Sequence, residues 1–335
     1  MSQEKESLLA KRKPATNEKD LSELFTGKDA DRLLKSFLSS PFIAASLPLK
    51  DVNKNLFKRK YNNFTLSLAS TADKVPFGKY GRLLLTILTT HAVVGKHVTD
   101  DGSVIIQYDS IRQLLKEMQL SAGRSNDIKR QLEYFSKSTF VFEEKRTSVF
   151  QKSLFKDLLE KDGISSSSDK IQATLVSSGV IPFMEAMQYI ELKEADREGK
   201  QYCISMRLSP AFVKFSKKHA VPINYTVYKK ISSAVGKDIY AWLIYRNNSL
   251  KENESVFIPS STLVEQFMPV KDGGHLNQER TNYNYILEQI RLIKDKYYSN
   301  LNVKVNSDGD GITLLKSASH LPTDNFRYVL VTANA

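Results

Sequence analysis

From Lys79 to Val94 the chain reads KYGRLLLTILTTHAVV, apolar on nearly every side of a helical wheel. A helix with no polar face belongs in the centre of a folded unit. Beyond the turn at Asp101-Gly102, Val104 to Gln107 reads as a short strand. Ser110 and Gln113 then have the spacing of a capping box, heading a helix that carries Ile111, Leu114, Leu115 and Met118. Ser121-Ala122-Gly123 interrupts the pattern, a second helix runs from Ser125 to Lys137, and Thr139 to Phe142 reads as a strand. Helix, short strand, helix, turn, helix, strand is the order of a winged variant of the helix-turn-helix.

The same order returns after Pro222 without obvious sequence identity. KDIYAWLIYR (237–246) is a second core helix, and Val256-Phe257-Ile258 a second short strand. Thr262 and Glu265 have capping-box spacing before Leu263, Val264 and Phe267. A long helix is expected over 278–298. Strands at Asn302 to Val305 and Gly311 to Leu315 then flank the tip Asn306-Ser307-Asp308-Gly309-Asp310 as a wing.

The expected class is therefore α+β, with two tandem winged-helix domains and a disordered basic N-terminal arm. Residues 1–20 mix charge, Ser and Pro14 with little periodicity and form that arm. Residues 21–60 hold a helix over 21–39, ended by Pro41, and a basic linker with Lys54, Lys58, Arg59 and Lys60. The first domain covers 61–221 and opens on the alternating strand Phe64 to Leu68. It contains an insertion or extended wing at about 145–200, a strand over 201–208 and a short helix started by Ser209-Pro210. The second covers 222–335. At 335 residues the chain has room for both, since domains commonly run about 100–200 residues.

Charge narrows the partner. Forty-nine Lys and Arg against 37 Asp and Glu leave +12, which points to a polyanion, double-stranded DNA first. In the helix from Ser125, the residues Ile128, Leu132 and Phe135 share one face, while Asn126, Lys129, Arg130 and Lys137 project from the other. Arg and Lys suit phosphates or guanine edges and Asn suits adenine. Glu133 in that face either accepts from cytosine or weakens non-specific binding, and an ordinary solvated face is the plain alternative.

In the long helix the expected apolar stripe is Tyr283, Leu287, Ile290, Ile293 and Tyr297. Asn277, Gln278, Thr281, Asn284 and Tyr285 lie on or near the other side, flanked by Arg280. Such an amide-rich face suits base reading, and Glu288 and Asp295 restrict it to the first two turns. Lys304 and Lys316 on the wing strands suit backbone contacts, or equally a role as solvated lysines that oppose edge aggregation.

Three blocks, VPFGKYGRLLLTILTTHAV (75–93), LSPAFVKFSKKHAVPIN (208–224) and KDIYAWLIYR, resemble the plasmid RepA-type replication initiator family of bacteria in order and spacing. The resemblance covers about residues 60–300. It implies binding to repeated or partly symmetric sites in a plasmid origin, with host replication initiator and helicase proteins as partners. A homodimer is one option for the active form. The family says little about single DNA-contacting residues, so those named above come from helix geometry alone.

Catalysis finds no support in the motifs. His91, His97, His219, His275 and His320 are scattered, without metal-pair spacing. The relaxase His pair and the phosphate-binding G-x-x-x-x-G-K-[ST] loop are both missing. The wing tip mimics half a calcium loop, but its twelfth position would be Ser317 where a bidentate Glu is needed. Cys203, the only cysteine, is expected to pack as a small apolar group. The expectation is a non-enzyme with no cofactor or metal. With no run of about 18 apolar residues and no secretory signal, it is cytoplasmic and makes no membrane contact. A winged-helix transcriptional repressor, a DNA-nicking enzyme and a general RNA-binding protein are the rival readings.

Overall fold

The computed structural model describes residues 33–61, 64–151, 170–192, 200–269, 276–306, 308–321 and 326–328. The N-terminal arm and residues 21–32 of the expected first helix lie outside them.

Strand β1 (Leu33–Ser39) occupies the end of that expected helix. It lies between two other strands and packs against a core helix, so Ser36, Leu38 and Ser39 are all buried. A strand covered on both faces loses the alternation that would announce it. Pro41 starts a helical turn, α1 (Ser40–Ala44), where a stop was expected. The basic linker likewise becomes strand β2 (Leu56–Tyr61), with Lys58 and Lys60 exposed and Arg59 buried, hairpinned onto β3 (Phe64–Ser70).

Helix α2 (Gly78–Val94) is the expected core helix, buried continuously from Gly81 to Thr90. Its threonines remain satisfied because Thr86 Oγ1 and Thr90 Oγ1 donate to the carbonyls of Arg82 and Thr86. Strand β4 (Val104–Ser110) leads into α3 (Ile111–Glu117). The expected capping box does not form, since the Ser110 hydroxyl makes no cap bond and Gln113 Oε1 accepts at 2.6 Å from Asp109 N, one residue before the N-cap. A 3₁₀ turn (Ala122–Arg124) precedes α4 (Ser125–Ser136).

The next strand departs from expectation. β5 (Ser138–Gln151) does not join β4; it pairs with β3 and with β6 (Lys170–Pro182) in a four-stranded sheet ordered β2-β3-β5-β6. The wing of the first unit is instead β7 (Met184–Leu192) with β8 (Lys200–Leu208), giving a sheet ordered β4-β8-β7. The described residues of the expected insertion at 145–200 thus divide between a ribbon, 138–151 with 170–182, and the wing, 184–192 with 200–208. Aromatic packing roots the ribbon. The Phe140 ring centroid lies 4.9 Å from those of Phe42 and Phe183, and 5.1 Å from that of Phe215. Cys203 sits at an irregularity of the β7–β8 register, between the pairs Gln188↔Ser205 and Ile190↔Tyr202, half-buried and with φ 50°, so it is a bulge residue and not a core thiol.

Helix α5 (Pro210–Lys218) starts as expected, with Ser209 Oγ accepting from Phe212 N. Strand β9 (Ala220–Asn224) and helix α6 (Tyr225–Lys230) lead to α7 (Ala234–Ser249), the second core helix. Strand β10 (Ser255–Pro259) and α8 (Ser260–Phe267) follow. Pro259 takes the N-cap of α8, which puts Thr262 inside the helix and removes the expected Thr262–Glu265 box. Helix α9 (Leu276–Lys296), β11 (Val303–Val305) and β12 (Gly311–Leu315) complete the second winged helix, with sheet order β10-β12-β11. In both units the last strand is the central one. A Cβ on Gly311 would lie 2.3 Å from the Ile258 carbonyl oxygen, so β12 reaches β10 there only as glycine.

The fold is α+β, two winged helices in tandem, and the repeat extends in front of each. β1–α1 precedes the first unit and β9–α6 the second, and β1 and β9 pair antiparallel about Phe37↔Pro222. Strand β13 (Phe326–Tyr328) joins the other edge of β1 in parallel. Among the described residues no helix is long and apolar enough to cross a membrane.

Helices α2 and α7 meet at the junction of the units through a buried ion pair. Arg82 Nε and Nη2 each lie 2.7 Å from one oxygen of Asp238. The hydroxyl of Ser46 donates to Asp238 Oδ2 at 2.8 Å and accepts from Arg59 Nη1 at 2.6 Å, while Arg82 also donates to the carbonyls of Leu47 and Pro48. Beside them Lys237, 1% exposed, donates to the carbonyls of Tyr228 and Lys229. Burial, helped by repulsion from Arg82 and Lys79, lowers its pKa from 10.5 to about 7, with Asp238 pulling the other way.

That displacement has a definite sign. Between about pH 7 and the unfolded value near 10.5, the unfolded chain holds a proton that the folded one has released, so stability rises with pH. One proton contributes at most ~1.4 kcal/mol per pH unit. Tyr108 and Tyr225, pushed above their ordinary value of 10.0 by burial, oppose the trend only beyond that value. Lys237→Met is expected to flatten the rise, as read by urea unfolding across the window; equal slopes in the two proteins would refute the assignment.

Candidate nucleic-acid interface

Helix α4 is amphipathic as its spacing requires. Ile128, Leu132 and Phe135 are fully buried, Asn126 and Arg130 are exposed, and Lys129 is half-buried. Lys137 follows the last helical residue as C-cap. The face carries its own counter-charges: Arg130 Nη2 donates to Asp127 Oδ1 at 2.8 Å, and Lys137 Nζ donates to Glu133 Oε1 at 2.8 Å. Glu133, offered above as a cytosine acceptor, is thus engaged with Lys137. Exposed pairs of this kind are worth at most about 1 kcal/mol, so a phosphate can replace the carboxylate.

Two cations that helix geometry did not select adjoin this face. Lys79 Nζ and Arg124 Cζ lie 5.1 and 5.8 Å from the ring centroid of Tyr80, at the start of α2. The KYGR tetrad and the Arg of the 3₁₀ turn are 45 residues apart (124 − 79), and only packing brings them together. Lys79, Arg124, Lys129 and Arg130 then form one cationic region around the head of α4.

Helix α9 divides differently. Tyr283, Leu287, Ile290 and Ile293 are buried as expected, together with Ile286. The lower end of the stripe is corrected, since the helix stops at Lys296 and Tyr298, 2% exposed, takes the buried place assigned to Tyr297. Asn277, Gln278, Arg280, Thr281 and Asn284 are exposed along the first turns. Tyr285 is half-buried against the core, which makes it a flank of that face and not its centre.

Buried Asn282 holds this end of α9 in place. Its Nδ2 donates to the carbonyl of Met268, and its Oδ1 accepts from Gln278 Nε2, both at 2.8 Å. The Thr281 hydroxyl donates to the Asn277 carbonyl, leaving its own oxygen to accept. One amide of the polar face is therefore part of the scaffold, and Thr281 and Asn284 are the polar side chains of that face left open to solvent. The exposed charges of the helix nearly balance, with Arg280, Arg291 and Lys296 against Glu288 and Asp295.

The wing hairpin is present, with Lys304 exposed on β11 and paired to Thr313. Lys316 departs from expectation because it lies past the end of β12, where its Nζ donates to the Asn247 carbonyl near the C-terminus of α7. That contact satisfies a helix-end carbonyl and favours the α7 dipole. Exposed Asp308 and Asp310 make the tip anionic, so the wing could meet a phosphate through Lys304 and not through its tip. Between wing and helix, the Tyr283 hydroxyl is buried without a hydrogen-bond partner among the described residues.

In the first wing, Arg207 bonds Asp101 and Ser103 and lies 3.0 Å from Glu185 Oε2, tying β8 to both neighbours. Among the described residues no group of three or more His, Cys, Asp or Glu is placed to hold a metal ion.

No protein-family model matches the sequence, and no curated protein sequence is significantly similar to it. Solved structures are similar over most of the chain. Domains 2 and 3 of RctB share 13% identity with it, over 84% of this chain and 99% of that one, with a TM-score of 0.47. A second structure of the same domains gives 11% identity, coverage of 84% and 98%, and 0.42. The Pi initiator protein in complex with iteron DNA gives 12%, 85% and 97%, and 0.43.

Proposed function

We propose that this chain is a plasmid replication initiator that binds specific double-stranded sites at an origin through both winged helices and helps recruit host replication proteins. The observation that carries the DNA-binding part is the pair of third helices, α4 and α9. Each buries an apolar stripe and exposes a polar face, one cationic and one rich in amides and hydroxyls. The helix-turn-helix uses its corresponding helix to enter the major groove. A net charge of +12 supplies the non-specific attraction. The replication part rests on the sequence resemblance of the three blocks.

Division of labour follows from the side chains. Lys79, Arg124, Lys129 and Arg130 suit phosphates, which fix position and register, whereas Thr281 and Asn284 suit base edges, which fix sequence. The buried Arg82–Asp238 pair would hold the two readers at a set separation, so the site should span more than one helical turn. Footprinting on DNA flanking the gene is expected to reveal protection longer than about ten base pairs, one turn of duplex. Binding is expected to weaken steeply with salt. Protection shorter than one turn would refute contact by both units.

A further inference from the structure

Strand β4 lies at the edge of its sheet, paired with β8 on one side only. Along an antiparallel strand, alternate residues direct both N–H and C=O to the same edge, and on the free edge of β4 these are Ile105, Gln107 and Asp109. Two of the three are engaged. Ile105 N donates to the His97 carbonyl at 3.0 Å, and Asp109 N donates to Gln113 Oε1 at 2.6 Å. Gln107 lies between them with no backbone partner on that edge among the described residues. Proteins commonly cover or charge such edges, and here the cover is broken at one residue.

A cavity of about 230 Å³ adjoins the gap, and none of its lining residues belongs to the helix faces described above. The end of α2 forms one wall and α3 another. Its floor is already satisfied: the Tyr108 hydroxyl donates to Glu117 Oε1, and His91 Nε2 lies beside the same oxygen, both at 2.8 Å. The open chemistry is therefore the backbone of Gln107. Toward Ile105 the slot is closed, because residues 97–99 run antiparallel to 103–105 and Thr99 N donates to the Ser103 carbonyl at 2.9 Å. Exposed Lys96 and His97 stand at that closed end.

We propose that this slot binds the carboxyl-terminal peptide of a partner protein as an added strand. An extended peptide supplies both the acceptor and the donor that Gln107 lacks, as in other cases where a peptide extends a sheet edge. From Ile105 to Asp109 is about 13 Å, four strand steps of about 3.3 Å, which leaves room for about two or three residues. A strand running straight through would collide with the pairing of 97–99, whereas a chain end stops short of it. Charge decides which end enters. Lys96 attracts a carboxylate and repels a terminal ammonium, and the His97 ring can donate to the same carboxylate. The inference goes beyond the DNA-binding reading and does not rest on it.

The full-length protein would be screened on an array of random pentapeptides made in two forms, with a free carboxyl terminus and as the carboxamide. The strongest sequences would then be titrated in solution by fluorescence polarisation. Saturable binding of free-acid peptides is expected, with the carboxamides at least about tenfold weaker, as for the loss of a charge-assisted hydrogen bond. Gln107→Pro removes the outward N–H at an edge position where proline is tolerated, and should weaken binding about tenfold. Lys96→Glu combined with His97→Glu changes two exposed side chains and should abolish the preference for the free acid.

Three outcomes would overturn the proposal. They are no saturable binding by any peptide, equal binding of the two forms, or unchanged affinity and preference in both variants with circular dichroism matching the wild type. Both variants should leave the origin footprint intact, so failure here and failure of the DNA-binding proposal are read separately.

Discussion

Asp238→Ala is expected to lower the unfolding free energy by about 3–5 kcal/mol, the cost of leaving a buried charge without its partner. Two buried arginines and a buried lysine feel that one carboxylate. Arg82 holds it in a two-pronged contact, while Arg59 and Lys237 lie near enough for it to oppose the lowering of their pKa values by burial. Its removal also takes away the acceptor of the Ser46 hydroxyl. A double replacement, Arg82→Met with Asp238→Leu, should recover only part of the loss, because apolar side chains can substitute for the Arg82–Asp238 pair itself while Arg59 stays buried with no carboxylate beside it. Urea unfolding of the three proteins checks this. A loss under about 1 kcal/mol in Asp238→Ala, the range of exposed pairs, would mean that the junction is wetter than its burial implies.

Thr281→Ala combined with Asn284→Ala is expected to cost about 2–6 kcal/mol on the specific DNA site, as the sum of two base contacts worth about 1–3 kcal/mol each. Binding to random DNA should barely change, since neither side chain is charged. Lys129→Ala should instead weaken specific and random DNA almost alike and reduce the salt slope by about one unit. Gln278→Ala is a poorer probe because its amide donates to Asn282, which in turn holds the end of the preceding loop at Met268. Competition assays at several salt concentrations separate the two classes. If the double variant kept its preference for the specific site with an unaltered melt, α9 would not be reading bases.

These two expectations depend on different levels of the molecule. The faces of α4 and α9 follow from spacing of three and four residues between apolar positions, and burial of Ile128, Leu132, Phe135, Tyr283, Leu287 and Ile290 agrees with it. The core helices α2 and α7 were equally legible, because a helix apolar all round has only one place to go. Helix starts were less secure. Ser209 caps as its type and position predict, but Thr262 does not, since Pro259 fixes an earlier boundary.

Sequence alone therefore determined what depends on neighbours a few residues apart: the amphipathic faces of α4 and α9, the buried helices, the second wing hairpin, the repeated order of elements and the cationic balance. Tertiary structure decided everything that depends on partners distant in the chain. Residues 33–39 are a strand because β9 and β13 supply hydrogen bonds on both edges. Strand β5 leaves the winged-helix sheet because β3 and β6 pair with it and an aromatic cluster anchors its root. The Arg82–Asp238 contact closes over 156 positions, and a cleft at the junction draws residues from both units. Local periodicity records which side of an element is apolar, but not which other element will cover it; that choice is made by packing and by the pairing of backbone groups across the whole chain.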